Sequence, residues 1–197
     1  MALRGSLTLF TAVAARIGVV DVGAHEVAFA VWSFFALALD AIAIAGQAMV
    51  GRYLGSGDVP TARAVGRRML ELGVVGGVAA GALVLAARPA LPGIFSDDPS
   101  VVSLAGFLLL FVAVLQPVNG AVFVLDGLLI GAGDMSFLAR AMLAAAVLAA
   151  PLAGAVLLLD LGIGWLWAAL TTLMVARLAV LSVRWRSGAW AVPGATR

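Results

Sequence analysis

The feature that most constrains the fold is an almost unbroken apolar segment over residues 101–134, VVSLAGFLLLFVAVLQPVNGAVFVLDGLLIGAGD. As an α-helix, about thirty of these residues extend roughly 45 Å, which exceeds a hydrocarbon thickness of about 30 Å. Gln116, Asn119 and Asp126 recur at helical spacing and share one face, while Pro117 predicts a bend and a freed carbonyl. Because such a face is costly in lipid, the segment predicts a membrane helix that packs against neighbours or lines a wet cavity.

The composition of the whole chain agrees with an integral membrane protein. Of its 197 residues 64% are hydrophobic and 11% are charged, and the mean hydropathy is +1.16; soluble domains average about 45–50% and 25%. The chain has no cysteine and a single histidine, His25, which argues against a disulfide framework, a metal site or a Ser-His-Asp triad. The basic residues are all arginine and follow predicted helix ends, a pattern typical of membrane topology and not of nucleic-acid binding.

We predict an all-α fold, a polytopic bundle of six transmembrane helices forming one lobe over residues 1–190, with a short tail at 191–197. The predicted spans are residues 3–20, 27–50, 70–87, 101–130, 137–159 and 163–182. The segment DVGAHE is expected to form the loop between the first two spans, and the arginine-rich segment 51–68 to lie at the membrane interface as an amphipathic piece. An even number of spans and the arginine bias predict that both termini are cytoplasmic, in the cytoplasmic membrane.

Two copies of one short pattern end the second and fourth spans, GRYLGSGD at residues 51–58 and GLLIGAGD at residues 127–134. Glycine can adopt the left-handed conformation that ends a helix, and aspartate can cap the next one. The predicted turn residues are Gly55, Gly57, Asp58, Gly131, Gly133 and Asp134. The repetition indicates that the second and fourth helices have equivalent positions, as in the repeated architecture of transporters.

Polar side chains inside the spans are the candidate functional residues. Asp40 lies near the centre of the second span, where a carboxylate costs about 2.5–3.5 kcal/mol on insertion scales. It is therefore expected to face the bundle interior or a cavity, either as a proton or cation relay or as a packing group. Gln116, Asn119 and Asp126 either line a transport path or bond neighbouring helices; with Asp40 and Pro117 they form the candidate set.

The remaining polar and aromatic residues have structural interpretations. Arg16 and Arg177 are expected to extend to opposite membrane interfaces, and His25 and Glu26 to lie in an interfacial loop where the second helix begins. Trp32 is deeper and is expected either to pack or to line a cavity. An aromatic belt around the last span is predicted at Trp165, Trp167, Trp185 and Trp190. Glycines of the third span, at 73, 76, 77 and 81, predict close helix contact.

An intramembrane aspartyl protease is an alternative interpretation, because the chain contains two Gly-x-Gly-Asp copies and a Pro-Ala-Leu at residues 89–91. The context disfavours it. The single tyrosine, Tyr53, precedes leucine and not aspartate, and Pro-Ala-Leu lies between the two copies instead of after them. Both copies are also placed at membrane edges, so neither aspartate lies at catalytic depth.

Three blocks of sequence carry a resemblance to a known family: GAHEVAFAVWSFFALALDAIAIAGQAMVGRYLGSGD, IFSDDPSV and QPVNGAVFVLDGLLIGAGDMSFLARAML. In this order and spacing they resemble the multidrug and toxic compound extrusion (MATE) family, in particular its DinF-like branch, over almost the whole chain. The resemblance implies a secondary transporter and not an enzyme, and it corresponds to the C-terminal six-helix lobe of a twelve-helix protein. The implied function is export of drugs or other cationic, amphipathic compounds in exchange for protons or sodium ions.

The resemblance also implies which partners this lobe has. These are membrane lipids, the exported small molecule, and either an N-terminal lobe or a second copy; no cofactor beyond the coupling ion and no nucleic acid is implied. Sodium-coupled members carry acids in the first and fourth helices of this lobe. The fourth-helix acid corresponds to about Asn119 and the first helix has no acid at depth, which disfavours a sodium site of that type. The alternative function is a membrane scaffold or remnant lobe that transports nothing.

Overall fold

The structure, a computed structural model, describes residues 2–194, except for the side chains of residues 2–4 and 6. Over this range the chain is helical throughout, with short turns between its seven helices. They are α1 Ala2–Ile17, α2 Val19–Gly55, α3 Val59–Ala87, α4 Pro92–Phe95, α5 Pro99–Gly131, α6 Met135–Leu158 and α7 Ile163–Ser187. The all-α prediction is confirmed, while the end of the predicted tail, residues 195–197, lies outside the described residues.

Five of the helices, α2, α3, α5, α6 and α7, are long and apolar enough to cross a membrane. They correspond to five of the six predicted spans. The first predicted span, residues 3–20, ends early in the structure, at Ile17, and α1 is 16 residues long; its apolar stretch among the residues with described side chains is Leu7–Ile17. The chain is therefore a multi-pass helical protein. Of the helices that correspond to predicted spans, α1 is the shortest, with 16 residues.

The predicted loop at DVGAHE is wrong. The break between α1 and α2 lies at Gly18, whose backbone is extended with φ 176° and ψ 166°, and α2 continues through Asp21 and His25 to Gly55. Polar residues here indicated a loop, but an acidic residue in the first turn stabilises a helix N-terminus through the helix dipole. The second helix is thus 37 residues long and begins eight residues before the predicted span.

The segment predicted to lie at the membrane interface, residues 51–68, is not a separate element in the structure. Residues 51–55 end α2, with Arg52 in its last turn, and α3 runs without interruption from Val59 to Ala87, with Arg63, Arg67 and Arg68 in its first three turns. Asp58 caps α3, and Pro60 lies in its first turn, where its missing N–H costs nothing. These two residues start the helix eleven residues before the predicted third span.

Glycines of α3 bring its backbone against α5, as predicted for the third span. A Cβ atom placed on Gly73 would lie 2.7 Å from the carbonyl oxygen of Gly120, and one on Gly77 would lie 2.8 Å from Cα of Pro117. A Cβ on Gly81 would collide with the carbonyl of Ala113. The absence of side chains at these three positions of α3 therefore permits direct backbone contact.

The two copies of the repeated pattern also pack against each other. Gly127 faces the backbone of Ala43, where an added Cβ would lie 2.8 Å from the carbonyl carbon, and Gly131 faces the backbone of Gln47. Gly51 in turn faces the carbonyl of Gly131, at 3.2 Å from an added Cβ. The C-terminal halves of α2 and α5 are consequently held together by backbone contacts at glycine. Helix α5 also contacts α3, α4, α6 and α7 and is the central helix of the bundle.

Candidate transport cavity

A cavity of about 880 Å³ lies between α1, α2, α5 and α6. Its walls are mainly apolar and include three aromatic rings. The lining residues are Leu7, Phe29, Trp32, Ser33, Ala36, Leu37, Asp40, Phe123, Asp126, Ile130, Met135, Leu138, Ala139 and Met142. Two carboxylates in an apolar, aromatic cavity of this size form a site suited to a small amphipathic molecule with a positive charge.

Asp126 in this wall is paired with Arg177 of α7. Nη2 of Arg177 donates a short hydrogen bond to Oδ2 of Asp126, and the two side chains are 3% and 16% exposed. Nη1 of Arg177 lies 3.6 Å from Sδ of Met174 on the same helix. The predicted extension of Arg177 to the membrane interface is therefore wrong, because a carboxylate 51 positions earlier in the chain lies within reach inside the bundle.

Asp40 reaches the same cavity from α2. Its side chain is exposed on the wall of the cavity that Asp126 also lines. The structure thus brings together two candidate residues that are 86 positions apart in sequence. Their role in transport remains a prediction.

Gln116 and Asn119 lie elsewhere, although they share a helix face with Asp126. Both are fully buried, at 0% exposure, and neither lines the cavity. Their amide nitrogen and oxygen atoms have no hydrogen-bond partner among the described residues. Pro117 between them is accommodated inside a continuous α5, and its Cα faces Gly77. The three polar side chains that share this helix face are therefore divided into two buried amides and one acid on the cavity wall.

His25 is inside the bundle and not in an interfacial loop as predicted. It is 2% exposed, its Nε2 lies 3.1 Å from Oγ1 of Thr11, and its ring stacks on Phe29 with centroids 5.7 Å apart. The edge of Trp167 completes the contact at 5.8 Å. The ring thus joins α1, α2 and α7 at one end of the cavity, through contacts that the sequence pattern did not indicate.

The predicted aromatic belt is only partly present. Trp165 is 61% exposed, whereas Trp167 and Trp190 are 1% and 2% exposed and belong to the core. Trp190 stacks on Trp185 with centroids 4.5 Å apart. Trp32 is 4% exposed and lines the cavity, so it both packs and contributes to the wall.

The predicted glycine turns occur at both copies of the repeat. Gly57 and Gly133 have left-handed backbones with φ 83° and 71°, which non-glycine residues adopt only with strain. Oδ1 of Asp58 accepts a hydrogen bond of 3.1 Å from the backbone N–H of Thr61, so the predicted cap is confirmed there. Hydrogen bonding to Thr61 lowers the pKa of Asp58 below its usual value.

The second copy differs, because Asp134 does not cap α6 with its side chain. Its Oδ2 instead accepts a hydrogen bond of 2.6 Å from Nε of Arg184 on α7, and its side chain is 2% exposed. The guanidinium of Arg184 also lies 5.0 Å above the ring of Phe137. The predicted cap is wrong here since an arginine from the last helix reaches the carboxylate.

Comparison with known proteins agrees with this architecture. The family model described as MatE matches residues 3–154, which is more than half of the chain. The chain belongs to the MatE family. The predicted resemblance is thereby confirmed at family level, while the DinF-like branch and the C-terminal position remain predictions.

The curated relatives of this MatE chain include plant proteins. Protein DETOXIFICATION 45, chloroplastic, of Arabidopsis thaliana is 33% identical over 193 residues, 94% of this chain and 33% of its own length. Protein DETOXIFICATION 43 of the same plant is 33% identical over 188 residues, 91% of this chain and 35% of its own length. The chain thus spans about a third of the length of these relatives.

A solved structure of a MOP superfamily transporter from Pyrococcus furiosus has the same fold. Its TM-score is 0.83 over 98% of this chain and 43% of that chain, at 22% identity.

MatE proteins are secondary transporters and not enzymes, so the prediction of a non-enzyme is confirmed. The protease interpretation is discarded.

Proposed function

We propose that this chain is the C-terminal lobe of a DinF-like MATE antiporter that exports drugs or other amphipathic, cationic compounds in exchange for protons or sodium ions. The observation that carries the proposal is the cavity in which Asp40 and Asp126 lie among aromatic rings. A membrane protein retains such acids at a cost of a few kcal/mol each, which favours a role in binding or coupling.

The walls of the cavity favour ligands with flat apolar parts. Phe29 and Trp32 stack with centroids 5.6 Å apart, and Phe123 meets Trp32 edge to face at 6.3 Å. Aromatic faces attract cations by about 0.5–2 kcal/mol, with the larger values in desolvated sites. A charged amine near the carboxylates and an aromatic body along these rings would satisfy both parts of the site.

A second lobe is part of the proposal. The cavity is an open cleft on one side of the bundle. The chain itself spans about a third of the length of its curated relatives. Alternating access in transporters arises when one repeat rocks against another around a fixed site. We therefore propose that an N-terminal lobe or a second copy covers the cleft, within the lipids of the cytoplasmic membrane and with both termini cytoplasmic.

Efflux measurements test this function. We would express the chain with and without a first-lobe polypeptide in drug-sensitive bacteria and measure accumulation of tetraphenylphosphonium. The paired chains are expected to lower accumulation, Asp40→Asn to abolish the effect, and Asp97→Asn, at an exposed loop acid, to preserve it. Efflux by purified monomeric chain in proteoliposomes would contradict the need for a second lobe. Paired chains without efflux would favour the scaffold or remnant alternative, in which Asp40→Asn and Asn119→Leu have no consequence.

A further inference from the structure

Three charged side chains from three helices meet at the cavity: Asp40 from α2, Asp126 from α5 and Arg177 from α7. Asp40 and Asp126 line the cavity, whereas Arg177 lies behind the wall and reaches the cavity only through Asp126. No other acidic or basic residue belongs to the lining among the described residues. These three groups therefore decide the net charge that a bound molecule meets.

Only one of the two carboxylate oxygens of Asp126 is bonded to Arg177. Its Oδ2 accepts from Arg177, but its buried Oδ1 has no hydrogen-bond partner among the described residues. Arg177 donates to Asp126 and otherwise contacts the weakly accepting Sδ of Met174, so within the described part of the chain it pairs with a single carboxylate. The ion pair is therefore neutral as a unit and leaves one oxygen of Asp126 without a hydrogen bond among the described residues.

Arg184, the other paired arginine of α7, does not change the net charge at the cavity. Arg184 lies seven positions after Arg177 and is paired with Asp134, whose side chain is 2% exposed. That pair is also neutral, and neither member lines the cavity. With two carboxylates and one guanidinium, the cavity cluster keeps one uncompensated negative charge.

We propose that Arg177 sets the charge selectivity of the cavity: by neutralising one of two carboxylates, it makes the cluster complementary to a ligand with a single positive charge. The inference rests on the proposed function, since it assumes that the cavity binds the transported molecule. In this account binding follows the net charge of Asp40, Asp126 and Arg177 together, and no single acid is indispensable.

The test is binding of tetraphenylphosphonium, a monovalent aromatic cation, to the purified full chain in detergent, measured by titration calorimetry. Triphenylphosphine oxide, of similar shape but neutral, is the ligand control. Asp40→Asn and Asp126→Asn each bring the cluster to zero charge, so each is expected to weaken cation binding by about tenfold or more. Neither change should alter binding of the neutral control.

The decisive variants add Arg177→Met to each of these changes. Both double variants return the cluster to one negative charge, so their cation affinities are expected within about threefold of the unaltered chain. Arg177→Met alone should retain cation binding. Asp40→Asn with Arg177→Met carries the test if Asp126→Asn proves unstable, because the side chain of Asp40 is exposed on the cavity wall.

The outcomes separate the inference from the proposed function. If folded Asp40→Asn protein loses cation binding and adding Arg177→Met does not restore it, Arg177 only stabilises the contact of α5 with α7. The inference is then overturned. If the unaltered chain binds tetraphenylphosphonium no better than triphenylphosphine oxide, the proposed function fails as well. Thermal melting of each variant confirms that a loss of binding is not a loss of fold.

Discussion

The central helix α5 meets its neighbours in two different ways. Against α2 and α3 it presents glycines, and the contacts are between backbones. Against α7 it makes the ion pair of Asp126 with Arg177, and just beyond its end Asp134 pairs with Arg184. The same helix is therefore fixed by close backbone packing against α2 and α3, and by ion pairs against α7.

This contrast locates the chemistry of the bundle. Backbone contacts at glycine are short and leave no room for ligands, so α2, α3 and α5 form the tightly packed part. Of the two charged contacts to α7, the pair of Asp126 with Arg177 adjoins the cavity, whose acids come from α2 and α5. Four substitutions test how far the two kinds of contact differ.

The largest effect is expected from Gly127→Val. Its Cβ would lie 2.8 Å from the carbonyl carbon of Ala43, and a helix backbone cannot yield as a side chain can. We expect a destabilisation of about 3 kcal/mol or more, measured by thermal melting in detergent. Gly106→Ala in the same helix is the matched control, because nothing lies within 4 Å of its added Cβ; it should be neutral or slightly stabilising. Equal melting of the two variants would contradict the glycine contact.

Asp126→Asn tests the charged side and should rank close behind. It leaves Arg177 buried without its counter-charge, and breaking a buried pair costs about 3–5 kcal/mol before relaxation toward the cavity reduces it. Adding Arg177→Met should recover most of the melting temperature, because neither charge is then stranded. A double variant no more stable than Asp126→Asn alone would show that the pair does not determine the stability of this contact.

Asp134→Ala should have an intermediate effect. It removes a hydrogen bond of 2.6 Å to Arg184, and bonds to charged groups contribute about 1.5–3 kcal/mol. Since the side chain of Arg184 is 21% exposed, water can solvate it in part and the lower end of this range is expected. Arg184→Lys is the control, which should keep the charge but lose the guanidinium geometry and part of the stability.

Asp58→Asn, at the equivalent turn, should have the smallest effect, since this side chain is only partly buried and caps α3 alone. The lowered pKa of Asp58 means that its charged form stabilises the fold above the ordinary carboxyl pKa of about 3.9. That contribution disappears as the pH falls through the lowered value. The difference in melting temperature between the unaltered chain and Asp58→Asn should therefore shrink below pH about 4; a difference that grows there would contradict the assignment.

The local features of this fold follow directly from the sequence. Apolar length gave five of the spans, glycine spacing gave the contact of α3 with α5, and the Gly-x-Gly-Asp pattern gave both left-handed turns. Each depends on residues close together in the chain. The helical start of α2 was missed because polar residues near a helix N-terminus resemble a loop.

The missed features depend on partners far apart in sequence. An arginine in an apolar span has the same local pattern whether it reaches the interface or pairs with a buried acid, so Arg177 was assigned wrongly. Asp58 and Asp134 have equivalent sequences but different partners, because Arg184 is 50 positions from Asp134. Matching acids and arginines within the apolar spans, before invoking the interface, would have suggested both pairs.

The most direct test of the account is water access to the cavity wall. The chain has no cysteine, so Ser33→Cys on the wall and Val78→Cys on the outer face of α3, 54% exposed, can each be labelled alone with a water-soluble methanethiosulfonate in membranes. We predict that Ser33→Cys is labelled and is protected by tetraphenylphosphonium, whereas Val78→Cys is not labelled. An unlabelled Ser33→Cys in folded protein would contradict a wet, ligand-accessible cavity between α1, α2, α5 and α6.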